Sequence, residues 1–366
     1  MEIAVARDVF HRALQGMQGV VESKSSAMPI LQNFLLDARE GEILLQGTDL
    51  DIGLKARYPA RVEGEGAVTL PARKLFDIVR ELSGEEVRLV EEKGQWVKME
   101  SGRARFRFPG LPPEDFPPLP EPGGEGGVEL ERGLLLEMIR KTIFAVSADE
   151  TRYTYNGVFL QGEGDLLRMV ATDGHRLALI ERPCPGLPEE LGAIIHRKAL
   201  GELTKLLSAP GEGGVQLFLQ ENHAIFALES ITLSARLIEG QFPNYQQVIP
   251  RANEKRASLD RAPLVGALRR VSLLASESRM VKFTFAPGTL SLSTEASEVG
   301  EAREELEAEY EGEEVAIGFN ARYCLDMLNA VEEERVRFDL KDPLSPALLL
   351  PVGAEGYTYV LMPMRV

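Results

Sequence analysis

The chain has 366 residues, a formal net charge of −16 and a hydrophobic fraction of 44%. That length is enough for two or three domains with separate cores, and the apolar share is that of a folded protein rather than a disordered one. No apolar stretch approaches the roughly 20 residues of a membrane helix, and the N-terminus lacks a basic head and long apolar core, so a cytoplasmic protein is expected. The lone cysteines, Cys184 and Cys324, lie in apolar surroundings and read as buried thiols, not as a disulfide or metal site.

Taken in order, the elements repeat three times at intervals of about 125 residues, which is the length of a domain and not of a solenoid repeat. The first unit opens a helix on Arg7, with Phe10, Ala13 and Leu14 on its apolar face. An alternating strand over 42–48 ends on Thr48, and Leu70 precedes a second helix with Leu75, Ile78, Val79 and Leu82 on one side. Residues 103–108 put Arg on one face and Ala or Phe on the other, the pattern of an exposed edge strand. Proline and glycine then crowd residues 110–127, which read as a linker.

The second unit restarts at Arg132 with Leu135, Met138 and Ile139, runs a strand over 166–172, and reaches Ile195 before its second helix. Strands follow over 216–219 and 231–237, then a second linker over 239–250, where Phe242-Pro243 matches Phe116-Pro117. The third unit repeats Arg261, Leu264, Ala267 and Leu268, a strand over 289–294, Phe319, a helix over 320–330 and a last strand over 357–361. The reading is three domains, 1–120, 121–246 and 247–366, each α+β with two helices packed on antiparallel sheets.

Basic residues recur on the helices. Arg73, Lys74 and Arg80 share the first unit's second helix; Arg197, Lys198 and Lys205 share its counterpart in the second. Arg132, Arg140 and Lys141 mark one first helix, and Arg261, Arg269 and Arg270 another, whereas the last helix has only Arg322. Acidic clusters sit apart in turn-like stretches, such as Glu91-Glu92-Lys93-Gly94 and Glu309 to Glu314. Lys and Arg without interleaved aromatics suit phosphate contacts that do not read bases.

Chemistry is hard to find. His11, His175, His196 and His223 have no partner at metal-ligand spacing, and there is no HExxH, CxxC, phosphate-binding glycine loop or GxSxG elbow. Asp173 and His175 could form an acid–base pair, the turn of a hairpin, or part of a binding pocket. A hydrolase and a multidomain peptide-binding scaffold without a DNA role remain the rival readings.

Val170-Ala-Thr-Asp-Gly-His-Arg-Leu-Ala178, the exit Phe242-Pro-Asn-Tyr245, the helix start at Leu70 and the terminal Tyr359-Val-Leu-Met-Pro-Met-Arg-Val366 resemble the bacterial sliding clamp family, the beta subunit of DNA polymerase III, along the whole chain. The resemblance implies a head-to-tail homodimer of three-domain subunits, closed into a six-domain ring. Duplex DNA passes through it without sequence preference, and the ring tethers polymerase without catalysis or cofactor. Implied partners are the clamp loader, the DNA polymerase III catalytic subunit and other proteins carrying a clamp-binding motif, in a nucleoid-associated cytoplasmic setting.

The family's hydrophobic peptide pocket maps onto Tyr155, Thr172, Gly174, His175, Arg176, Leu177, Pro243, Gln247, Val248, Met362, Pro363, Met364 and Arg365. Gln247 stands where many members carry a basic residue, and Tyr155 where an aliphatic one is common. DNA-facing residues would be Lys24, Arg73, Lys74, Arg80, Arg140, Lys141, Arg152, Arg197, Lys198, Lys205, Arg269 and Arg270. The dimer contact would set Arg103, Arg105, Phe106 and Phe108 against Leu273, Leu274, Glu301 and Glu304.

Overall fold

The computed structural model describes every residue except 22–27, 124–126, 189–190, 221, 276, 297–299 and 366. Lys24 therefore lies outside the described residues. Six α-helices are present among those described: α1 (Arg7–Met17), α2 (Ala72–Glu81), α3 (Arg132–Arg140), α4 (Arg197–Ser208), α5 (Arg261–Val271) and α6 (Ala321–Ala330). Each buries one stripe at the spacing its sequence sets, for example Ala72, Leu75 and Val79 of α2 and Leu264, Ala267, Leu268 and Val271 of α5.

The compact units do not coincide with the repeat. One unit gathers residues 1–133 and 198–237, the other 134–197 and 238–366, so the middle third is shared between them. In the first unit a five-stranded antiparallel sheet runs in the order Arg61–Gly64, Glu2–Ala6, Glu86–Glu91, Trp96–Ser101, Ala104–Pro109. An eight-stranded sheet joins the first third to the middle third where Ile231–Arg236 pairs with Ile52–Pro59, Leu233 opposite Leu54. Gly53 sits in that seam because a Cβ there would come within 2.6 Å of Ser234 Oγ and 2.8 Å of Leu119 Cδ2. Helix α1 packs on α2 within this unit.

The second unit repeats the construction. Its eight-stranded sheet is closed by Tyr357–Leu361 pairing with Arg176–Pro183, Leu177 opposite Val360. Its four-stranded sheet runs Gly300–Glu307, Thr289–Ala296, Met280–Ala286, Val315–Asn320, and α5 packs on α6. Ala104–Pro109 and Gly300–Glu307 are both sheet edges.

Two sequence readings change here. The proline-rich stretches are not bare linkers: Phe116 and Leu119, and likewise Phe242 and Tyr245, are buried and anchor the chain in the cores. Proline removes backbone donors without preventing the aromatic side chain beside it from packing. Second, two of the three repeated arginines at the helix starts, Arg132 and Arg261, are turned onto neighbouring backbone, whereas Arg7 pairs with the exposed Asp8 at 2.7 Å. Arg132 donates to the carbonyls of Leu206 (2.6 Å), Leu207 (3.0 Å) and Ala209 (2.6 Å) at the end of α4. Arg261 donates likewise to Leu328 O (3.0 Å) in the last turn of α6 and to Glu333 O (2.8 Å) in the segment that follows it. The last carbonyls of a helix have no intrahelical donors, and a guanidinium satisfies several at once.

Candidate functional site

The loop Thr172–Leu177 is a tight turn between antiparallel strands, with Thr172 opposite Leu177. Thr172 Oγ1 donates to Arg176 O (2.6 Å) and accepts from Gly174 N (3.0 Å), while Asp173 Oδ1 accepts from His175 N (2.9 Å) and Arg176 N (3.1 Å). Gly174 has φ of 89°, which an L side chain adopts only with strain. Asp173 thus spends its carboxylate on the turn and on Arg176, and His175 is exposed beside it.

Arg176 is the buried node of the site, 7% exposed. Its guanidinium donates to Asp173 Oδ2 (3.0 Å), Asp326 Oδ2 (2.6 Å) and the Phe144 carbonyl (2.5 Å), and lies 4.3 Å from the Tyr323 ring centroid. Burial opposes its charge, but Tyr359, Asp326 and Asp173 overcome that and raise its pKa above the ordinary arginine value. Tyr359 completes the support by donating its hydroxyl to Tyr323 O (2.9 Å). Sequence reading missed Phe144, Tyr323 and Asp326. The Asp326–Arg176 contact spans 150 residues, and no local pattern announces it.

Beneath the loop, Leu177 packs with Val170, Leu179, Ile194, Phe242, Tyr245 and Val360 in one apolar cluster. Phe159 stacks on Phe242 at 5.1 Å. The C-terminal segment is tied over it: Met362 N donates to His175 O (3.0 Å) and Met364 N to Gly318 O (2.8 Å). Met362, Pro363 and Met364 are half-buried and Arg365 is exposed. Val248 is 37% exposed beside the exposed Gln247 in a short 3-10 turn. Arg152 stacks on Tyr155 at 3.9 Å and donates to Asp173 O at 2.8 Å, which makes it part of this site's wall.

Two clefts result. One of about 520 Å³ is lined by Phe144, Arg152, Asp173, His175, Arg176 and Tyr323, among others. Pro243 lines another, of about 600 Å³, with Phe159, Phe242 and Tyr245. Both clefts mix aromatic and aliphatic side chains with charged or amide groups, a lining that suits an extended peptide with apolar anchors and polar groups between them.

The basic residues divide into two groups. Arg73, Lys74, Arg80, Arg140, Arg197, Lys198, Lys205, Arg269 and Arg270 are exposed on their helices. Lys141 is not: it is 7% exposed, with Nζ 2.9 Å from Glu137 and 3.7 Å from Glu333 and 5.6 Å from the Tyr357 ring. The structure removes it from any exposed basic face, because one residue beyond Arg140 the chain has turned into the core. Arg270 meets Glu304 in two hydrogen bonds and Lys198 pairs with Asp49, so both charges are partly spent.

At the two sheet edges, Arg103, Arg105 and Glu301 are exposed and Phe106 half-buried, while Phe108 is buried in its own core. Leu273 is 79% exposed and Leu274 half-buried. Arg105 already pairs with Glu100 (3.2 Å) and Glu304 with Arg270, so that of Arg103, Arg105, Glu301 and Glu304 the two opposite charges with no ion pair among the described residues are Arg103 and Glu301.

Family models describe the same chain in three stretches: the DNA polymerase III beta subunit N-terminal domain at residues 1–120, its central domain at 129–244 and its C-terminal domain at 246–365. The beta sliding clamp of Caulobacter vibrioides is 37% identical over the full length of both chains. A crystal structure of the sliding clamp from Bartonella birtlesii bound to griselimycin superposes with a TM-score of 0.95 at 38% identity, covering 100% of each chain. The DNA polymerase III beta subunit of Thermotoga maritima gives 0.92 at 30% identity, covering 100% of this chain and 99% of its own.

Proposed function

The chain belongs to the DNA polymerase III beta subunit family, and from that premise we propose that it is a DNA sliding clamp: a processivity factor, not an enzyme, that encircles duplex DNA and tethers the replicative polymerase. The carrying observation is that three consecutive family domains account for the chain from end to end. In this reading the clamp domains are 1–120, 121–246 and 247–366, and two copies close head to tail into a ring. The ring meets the clamp loader, the polymerase catalytic subunit and other motif-bearing proteins in the nucleoid-associated cytoplasm.

Physical chemistry supports the assignment. A heterologous contact that closes after two copies leaves no open end. Exposed Arg73, Lys74, Arg140, Arg197 and Arg269 on helices of a protein with net charge −16 give a mobile cationic surface on an otherwise anionic body. Such contacts hold phosphates through counterion release without stalling on any sequence. Ala104–Pro109 meeting Gly300–Glu307 of a second copy would pair two otherwise open edges. Partner peptides would dock on the 172–177 loop and the C-terminal segment, where Leu177, Met362 and Met364 supply an adaptable apolar floor.

The test is topological. The protein is loaded onto nicked circular duplex with a clamp loader, and the circle is then linearised. Retention on the circle followed by loss on cutting is expected. Equal loss from both forms would refute encirclement and favour the scaffold without a DNA role.

A further inference from the structure

Arg73, Lys198 and Arg322 hold the same place on the second helix of each repeat, three residues after Leu70, Ile195 and Phe319. Each stands in the first turn of its helix, and none of the three helices has an acidic residue there. A cation at the positive end of a helix is disfavoured unless an anion offsets it. The three differ in what they meet. Arg73 has no ion pair among the described residues, although Arg80 on the same helix has two, and Arg322 reaches Asp326 only at 4.0 Å. Lys198 is hydrogen-bonded to Asp49.

A turn fixes Asp49 for this contact. Thr48 Oγ1 donates to Ile52 O (2.8 Å) and accepts from Leu50 N (2.9 Å), and Asp49 Oδ1 accepts from Asp51 N (3.1 Å) and Ile52 N (2.8 Å). The equivalent turn of the second unit makes the same bonds through Thr172 and Asp173. There Asp173 Oδ2 accepts from Arg176 of its own turn. The first unit has the buried Ile52 in that place, and Asp49 Oδ2 accepts from Lys198 Nζ instead. The Asp49 side chain is 8% exposed and that of Lys198 44%, so the carboxylate is anchored in the protein while the lysine is open to solvent. Asp51, two residues on, is exposed and has no ion pair among the described residues.

We propose that Asp49 is a positioning residue for sliding: it holds the Lys198 ammonium in place and competes with DNA phosphate for it, so that Lys198 grips the duplex less firmly than Arg73 does. The inference rests on the DNA-encircling reading above and adds how one of its contacts is kept weak. A free cation that meets a phosphate releases a counterion from DNA. A lysine that must first leave its own carboxylate exchanges one anion for another, and the vacated carboxylate takes up a cation from solution. That contact adds less to affinity and less to salt dependence, and it is made and broken with little change in free energy as the ring moves.

The experiment uses the full-length protein and a fluorescein-labelled duplex of mixed sequence, titrated by anisotropy between about 50 and 200 mM salt. Asp49→Asn keeps Oδ1 as the acceptor of the turn and removes the charge that meets Lys198. It should bind about two- to five-fold tighter at the lower salt, as expected from freeing one partly exposed ion pair, and steepen the salt slope by up to about one. Asp51→Asn, the same charge change two residues away, should leave the slope unchanged. Adding Lys198→Gln to Asp49→Asn should return binding to the level of Lys198→Gln alone. Tracked on stretched duplex, the loaded Asp49→Asn ring should diffuse more slowly than wild type. A second comparison does not depend on the turn: Arg73→Gln should lower the slope by about one, and Lys198→Gln by about half of that or less. The proposal is overturned, with encirclement left standing, if Asp49→Asn binds no tighter than wild type, if its gain survives Lys198→Gln or is matched by Asp51→Asn, or if Arg73→Gln and Lys198→Gln lose equally. Failure of the wild type to stay on nicked circles would instead overturn the function on which it rests.

Discussion

Replacing Arg176 by methionine would keep most of the volume of the buried node and remove its charge. The change strips Asp173 and Asp326 of their cation, orphans the Phe144 carbonyl and removes the guanidinium from the Tyr323 face. Breaking a buried ion pair from one side costs about 3–5 kcal/mol. Asp326 remains 27% exposed and can rehydrate, so the lower end, about 3 kcal/mol, is the better expectation. For a cooperative unit of this size that corresponds to a fall in Tm of about 6–12 °C. Scanning calorimetry on the full chain reads it directly, and the affected transition should be the one that contains residues 134–197 and 238–366. Adding Asp326→Leu to the methionine variant should recover part of the loss, because it removes one stranded carboxylate. An Arg176→Met protein that melts within about 1 °C of wild type would refute the claim that this node organises the site.

Four further outcomes follow from the same geometry. Leu50 occupies φ of 77° with half its surface exposed, where the equivalent turn has Gly174; Leu50→Gly should be neutral to stabilising by about 0.5–1 kcal/mol, read by urea titration. Arg140→Ala should lower the salt slope of DNA binding by about one, whereas Lys141→Met should leave the slope unchanged and affect stability instead. The partner of Lys141, Glu137, has competing influences: burial raises its pKa, but hydrogen bonds from Arg182 and Lys141 prevail and hold it below the ordinary 4.5. Its contribution is therefore present above that value and lost as pH falls through the depressed folded value, and Glu137→Gln should flatten the acid limb of the stability curve. Phe106→Asp on the edge strand should leave the protein monomeric at low micromolar concentration by sedimentation; a fully dimeric variant would show that another surface makes the contact.

Much of this molecule was legible before any coordinates. Period and spacing placed the helices near Arg7, Arg132 and Arg261 and the strands Glu42–Thr48, Leu166–Thr172 and Tyr357–Leu361, because local backbone preference and alternating burial act over a few residues. The Asp173-Gly174 pair announced its turn for the same reason. The outward face of Ala104–Pro109 also announced an edge. Tertiary structure alone decided the rest. Nothing local tells that Phe116 and Phe242 are core anchors, that Arg132 and Arg261 bind carbonyls about 70 residues away, or that Lys141 is buried while Arg140 beside it is exposed. The same holds for Arg176, whose charge is tolerable inside the protein only because Asp326 arrives from α6 to meet it. A sequence shows which side chains carry charge. Whether that charge faces water, a helix end or a buried partner depends on which distant segments the fold brings within hydrogen-bond reach.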